Sequence, residues 1–178
     1  MNETIACIDK AIRKKADFPK KGILYNDISG LTVDPHAFVG CIDLMYDYYK
    51  DKRVDRIAGI DARGFVLSAP LAYRMRLPLI LVRKPGKLCG TVHQKTYQLE
   101  YGTDIVCIQE EDFRPGDRIL LCDDLIATGG TFLAACQLFE EMGAVIAGCF
   151  AVVGLPYLSY EEKLAGYPVH TLLRYRRS

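Results

Sequence analysis

The residues best suited to chemistry lie in ILLCDDLIATGGT, positions 119–131, where an apolar run meets two adjacent carboxylates and a glycine turn. Ile119 to Cys122 are apolar at every position, as expected of a parallel strand covered on both faces. Open α/β sheets bind ligands beyond the carboxyl ends of their strands, which is where Asp123 and Asp124 fall. Gly129 and Gly130 let backbone N–H groups approach a phosphate without a Cβ in the way. A helix starting near Thr131 adds unpaired N–H donors and the positive end of its dipole. Carboxylates repel phosphate but accept hydrogen bonds from sugar hydroxyls. Acids followed by a phosphate loop therefore predict a cradle for a ribose 5-phosphate. A P-loop ATPase would also need G-x-x-x-x-G-K-[ST], and a dinucleotide site G-x-G-x-x-G; neither string occurs.

Two further segments carry cations at predicted strand ends. In GIDARGF, Gly59 to Phe65, a strand end is followed by Arg63 and Gly64 at a helix start. The guanidinium fork matches a phosphate, and the helix N-terminus reinforces it. In RKPGKLCG, Arg83 to Gly90, the cations Arg83, Lys84 and Lys87 follow another strand. Any one of these alone reads as a surface ion pair. At the strand ends of one sheet they converge on one crevice and predict a site for pyrophosphate.

Several elements must position these groups. Ile5, Ile8, Ala11 and Ile12 recur at helical spacing and predict a first helix up to about Ala16. Asp17 to Gly30 breaks that pattern, and Pro35 to Tyr49 resumes a helix with Asp34 as its cap. Strands at Ile57–Ile60, Leu79–Val82, Ile105–Ile108, Arg118–Cys122, Val145–Val153 and near Val169–Leu173 alternate with helices after Gly64 and from Thr131 to Met142. That alternation predicts an α/β domain with a largely parallel sheet flanked by helices. The polar stretch from Arg83 to Gly102 is long for a connection and reads as a hairpin-like lid beside the phosphate site.

The chain has 178 residues, enough for one well-buried core, with 23 Lys plus Arg against 22 Asp plus Glu. No net field favours nucleic acid or an anionic membrane, so neither is expected as a partner. The seven cysteines form no C-x-x-C and predict reduced thiols in a cytoplasmic protein, with no disulfide framework and no zinc site. There is no apolar leader pattern and no window of 18 uninterrupted apolar residues.

In this order, FPKKGILYNDIS, GIDARGF, RKPGKLCG, TYQLEYG and DDLIATGGT resemble the motifs of adenine phosphoribosyltransferases. DDLIATGGT is shared by type I phosphoribosyltransferases generally, while RKPGKL with TYQLEYG is much more specific for the adenine family. The resemblance implies one domain, 1–178, of type I phosphoribosyltransferase fold, with a small N-terminal hood (about 1–33) and a long flexible lid (about 83–102). It implies transfer of phosphoribosyl from phosphoribosyl pyrophosphate to adenine, giving AMP and pyrophosphate, in a homodimer. Asp123 and Asp124 would hold the ribose hydroxyls, and Ala127, Thr128, Gly129, Gly130 and Thr131 the 5′-phosphate. Arg63, Gly64, Arg83, Lys84 and Lys87 would hold pyrophosphate, with Mg²⁺ bound mainly through substrate oxygens and water rather than by protein ligands. Leu24, Tyr25 and Leu125 would contact the base, and Glu100 in the lid would be the catalytic acid/base at adenine N7. The family's non-proline cis peptide would fall at Asp61–Ala62. Cys89 stands where the family usually has proline, and Asn26 where a basic residue is frequent.

Two other functions fit the cradle alone. One is transfer to hypoxanthine, guanine or xanthine, but the lysine that guanine-type enzymes place near the base has no match after Leu125. The other is a non-catalytic sensor on the same fold, which would lose the lid and pyrophosphate residues that this chain keeps.

Overall fold

The apolar spacing at the N-terminus forms α1 (Glu3–Ala11), but this helix stops short of Ala16. The next position of its buried stripe is Lys15, so further helix would bury nothing. Arg13–Ala16 is instead strand β1, paired antiparallel with β2 (Leu24–Asp27), with Arg13 opposite Asp27 and their charges 3.9 Å apart. A short helix, α2 (Ser29–Val33), follows, and then α3 (Pro35–Tyr49) with the predicted bounds. Asp34 Oδ1 accepts the N–H groups of His36 and Ala37, each at 3.0 Å, as a cap should.

The computed structural model describes residues 3–18, 20–22, 24–98 and 102–176. The chain divides by its internal packing into residues 1–48, holding the elements just given except the last residue of α3, and residues 49–178. The second unit runs β3 (Arg56–Ile60), α4 (Arg63–Met75), β4 (Leu79–Val82), β5 (Val92–Gln98), β6 (Thr103–Gln109), β7 (Arg118–Ile126), α5 (Gly130–Glu141), β8 (Val145–Gly154), α6 (Tyr160–Lys163) and β9 (Val169–Arg174).

Five of these strands form one sheet in the order β4-β3-β7-β8-β9, every pair parallel. From β3 the chain moves outward to β4 and later returns on the other side of β3 as β7. That reversal leaves a crevice at the carboxyl ends of β3 and β7, the position at which doubly wound sheets bind ligands. Strand β6 was expected with the parallel strands but pairs antiparallel with β5 in a separate two-stranded sheet. An apolar run specifies burial and not a partner, and here the hairpin from the long polar stretch claims it. Reciprocal backbone bonds between Arg83 and Cys107, 2.9 and 2.8 Å, tie the hairpin to the end of β4.

Parallel pairing puts Ala58, Ile60, Ile119 and Leu121 into one buried cluster with Phe132, Ala135 and Phe139 of α5 and Val106 and Ile108 of β6. Gly59, on the opposite parity of β3, faces α4, where an added Cβ would lie 2.2 Å from Ser68 Oγ. At Gly64 the approach is to backbone: a Cβ there would stand 2.5 Å from the Cys122 carbonyl oxygen. The first turn of α4 therefore lies directly against the end of β7. No helix among the described residues is long and apolar enough to cross a membrane.

Gly64→Ala is expected to lower stability by about 1–3 kcal/mol, because neither backbone segment can yield without moving the other. Gly166→Ala, with nothing within 4 Å of its added methyl, should be neutral or gain about 0.4–1 kcal/mol. Urea midpoints of the two variants measure the difference.

Candidate active site

Strand β7 does not end before its carboxylates, as the apolar run suggested, but continues through both to Ile126, with Asp123 opposite Ala151 of β8. Ladder pairing with β8 holds the acids on rigid backbone rather than in the turn. Both acids lie against the start of α4: an added Cβ at Gly64 would stand 3.2 Å from Asp123 Oδ1, and Arg63 faces Asp124.

Asp124 is 2% exposed, and Arg63 Nε, on the first residue of α4, lies 3.0 Å from its Oδ2. The guanidinium N–H is not aimed at that oxygen, so Oδ2 has a Coulombic partner and accepts no hydrogen bond. Asp123 Oδ1 accepts the backbone N–H of Asp124 at 2.8 Å. Burial and the adjacent Asp124 carboxylate push the Asp123 carboxyl well above the usual range, against the smaller opposing effect of Arg63.

Beyond Ile126 the loop turns at Gly129, whose φ of 77° is left-handed, and α5 begins at Gly130 with no side-chain cap on its N-terminus. A side chain at Gly129 would be strained by that φ and would meet Leu164 and Tyr160 at 3.3 Å. The uncapped first turn leaves N–H donors directed out of the helix end, the arrangement that receives an anion. A cavity of about 240 Å³ is lined by Arg63, by Asp123, Asp124 and Leu125, and by every residue from Ala127 to Thr131. Side-chain acceptors for hydroxyls thus border backbone donors for phosphate, with a cation on the acid side.

Of the remaining predicted cations, Arg83 and Lys84 each have an acidic partner. Arg83 Nε donates to Asp61 Oδ2 at 3.2 Å and Nη1 to the Lys87 carbonyl at 3.3 Å, while its guanidinium sits 5.8 Å from the Phe65 ring centre. Lys84 pairs with Asp104 of β6. Lys87 is exposed, and the peptide bond Asp61–Ala62 is cis, as the resemblance implied. Arg83–Asp61 joins the ends of β4 and β3, and Arg63–Asp124 joins the ends of β3 and β7, so cations and acids alternate along the rim of the crevice.

Three residues of this rim escaped the sequence reading: Asp61, Tyr97 and Asp104. Asp61 and Tyr97 lie inside motifs already singled out, but nothing about Asp104 marks it in sequence. Of the proposed base contacts, Leu125 lines the cavity. Leu24 and Tyr25 belong to β2 of the first unit, where Leu24 is exposed and Tyr25 meets Phe18 edge-on at 5.1 Å. Asn26, on the same strand, is buried with its Oδ1 unpaired. Glu100, the proposed acid/base, lies outside the described residues.

Residues 29–168 match the model of the phosphoribosyl transferase domain. Over 168 residues the chain is 52% identical to an adenine phosphoribosyltransferase of Treponema denticola, covering 94% of this chain and 88% of that one. The structure is similar to that of adenine phosphoribosyltransferase from Thermoanaerobacter pseudethanolicus, with a TM-score of 0.92, 38% identity, and coverage of 96% of this chain and 99% of the other. It is also similar to the Saccharomyces cerevisiae adenine phosphoribosyltransferase complexed with an imino-altritol bisphosphate and adenine, with a TM-score of 0.91, 32% identity, and coverage of 97% and 100%. With its glycine loop, acid pair and four of the five parallel strands inside the matched region, the chain belongs to the phosphoribosyl transferase family and, within it, to the adenine phosphoribosyltransferases.

Proposed function

We propose that this protein transfers the phosphoribosyl group of phosphoribosyl pyrophosphate to adenine, releasing AMP and pyrophosphate in purine salvage. The observation that carries this reading is the single cavity in which the Asp123–Asp124 pair borders the phosphate loop at the crevice of the sheet. In this assignment the loop Ala127–Thr131 binds the 5′-phosphate, and Asp123 and Asp124 accept the ribose hydroxyls. Arg63, Arg83, Lys84 and Lys87, with the backbone at Gly64, receive pyrophosphate. Leu24, Tyr25 and Leu125 contact the base. A base stacked on Tyr25 would gain about 1–3 kcal/mol.

Adenine N9 forms its bond to the anomeric carbon as the bond from that carbon to pyrophosphate breaks, through an oxocarbenium-like transition state. The protein's work is to position the ribose and stabilise the departing charge. The proton lost from the base needs an acceptor, and Glu100 is the residue we assign to N7. Mg²⁺ bound through substrate oxygens and water would neutralise pyrophosphate charge. The residues present suit it: Asp124 Oδ2 is buried without a hydrogen bond, and the burial and carboxylate neighbour that push the Asp123 carboxyl up would be offset by a nearby cation. A cytoplasmic location fits the seven unpaired thiols, and a homodimer is the assembly expected from the family.

Steady-state turnover of adenine, hypoxanthine and guanine with phosphoribosyl pyrophosphate and Mg²⁺ tests the reading. AMP should form at least about 100-fold more efficiently than the 6-oxo nucleotides, since a site that hydrogen-bonds an amino group leaves buried donors or acceptors unpaired against an oxo group. A folded enzyme that makes no AMP would refute the assignment. Glu100→Gln should lower kcat by about 100-fold with little change in KM for phosphoribosyl pyrophosphate, and an unchanged kcat removes its acid/base role.

Asp123→Asn separates function from stability. A carboxyl whose folded pKa is raised binds its proton more tightly in the native state, so stability falls as pH rises from the unfolded value through the folded one. The Asn variant lacks that loss. Its melting temperature should exceed that of the parent at pH 8, with the gap closing toward pH 4, while activity falls by about 100-fold. An Asn variant that melts below its parent at pH 8 would contradict the raised pKa.

A further inference from the structure

Thr131 and Lys84 are assigned to opposite ends of the same substrate, yet one side chain of the hairpin joins them. Thr131 Oγ1 donates to the Tyr97 hydroxyl at 3.1 Å, and that hydroxyl donates to Asp104 Oδ2 at 3.1 Å. The same Asp104 oxygen is the partner of the Lys84 ammonium. Asp104 Oδ1 is held by the backbone N–H of Ile105 at 2.8 Å, so the carboxylate cannot turn a fresh oxygen to either group. Gly130 admits the hairpin here: an added Cβ would be 3.3 Å from the Gln98 carbonyl oxygen and 3.5 Å from the Tyr97 ring.

A threonine hydroxyl has one proton to donate, and in this state Tyr97 takes it. A 5′-phosphate that recruits Thr131 must first break that bond. At the other end, Tyr97 and Lys84 compete for one carboxylate oxygen. The hydroxyl withdraws charge from Asp104 and so weakens its hold on the ammonium. On the reading that Thr131 and Lys84 are phosphate ligands, we propose that Tyr97 is a positioning residue with opposite effects on the two ends of the substrate. It withholds the Thr131 donor from the 5′-phosphate and frees Lys84 from Asp104 for pyrophosphate. Burial alone would lower the Lys84 pKa and raise that of Asp104, but their mutual contact and Tyr97 outweigh it in both, consistent with a tight pair that pyrophosphate must open.

Tyr97→Phe deletes the hydroxyl and keeps the ring that lies 5.8 Å from the Lys84 ammonium. Calorimetric titration of the full chain in Mg²⁺, separately with ribose 5-phosphate and with pyrophosphate, reads the two ends. The variant should bind pyrophosphate about three- to tenfold more weakly and ribose 5-phosphate about two- to fivefold more tightly, the scale of one hydrogen bond. General loosening of the hairpin would weaken both, so shifts of the same sign, or none, overturn the proposal. Asp104→Asn provides an independent test that does not require the Phe variant to fold. Releasing Lys84, it should tighten pyrophosphate about threefold or more and leave ribose 5-phosphate within about twofold. Unchanged or weaker pyrophosphate binding in that variant overturns the proposal as well. If the unaltered protein binds neither ligand, the phosphate assignments themselves fail and the coupling falls with them.

Discussion

A nearly buried carboxylate at the end of a parallel strand is the constraint around which this site is arranged. Asp124 is 2% exposed, and an ionised group so placed needs a fixed positive partner. Arg63 provides it, but only because α4 starts within reach of the end of β7. That proximity depends in turn on Gly64, where any side chain would strike the Cys122 carbonyl. The acid, the cation and the missing Cβ form one unit. Burial and the Asp124 carboxylate push the carboxyl of its neighbour Asp123 well above the usual range, against the smaller effect of the same Arg63.

The order of strands explains why charged groups from distant segments share a rim. Reversal of the chain between β3 and β7 opens the crevice, and the adjacent ends of β4 and β3 bring their loops to the same side. Three cations along that rim are each matched to a nearby acid: Arg63 with Asp124, Arg83 with Asp61, Lys84 with Asp104. Such pairing keeps a cluster of positive charge from repelling itself before an anion arrives, and it makes binding an exchange of counter-ions. The hairpin of β5 and β6 contributes one of these acids and so takes part in the charge balance of the site.

What was legible in the sequence was local. Pro35 at a first helical turn behind Asp34 marks α3 to the residue, and the apolar run Leu79–Val82 is β4 without adjustment. The loop Ala127–Thr131 is readable because acids, glycines and a helix start follow one another within a single string. What was not legible is non-local. Strand β1 is a run of exposed cations with no period of its own, made a strand by its partner β2. The apolar positions of β6 announce burial, but the choice between a second sheet and the first belongs to the hairpin. Tyr97 and Thr131 are 34 positions apart, and Asp61 and Arg83 are 22 apart, so only the folded chain reveals those contacts. The extension of β7 through two acids runs against strand propensity and is set by its ladder with β8.

The loop Ala127–Thr131 offers chiefly main-chain donors, and that gives the two halves of the site unequal exposure to mutation. A donor that every residue carries survives most substitutions, so the loop is vulnerable chiefly at Gly129 and Gly130 and to changes in its length. The charged rim is made of side chains, and a single base change can delete any one of them. Drift in a duplicated copy of this gene would therefore erase the charged rim long before it erased the loop. A descendant that kept the loop alone would still present the uncapped helix end, the arrangement that receives an anion.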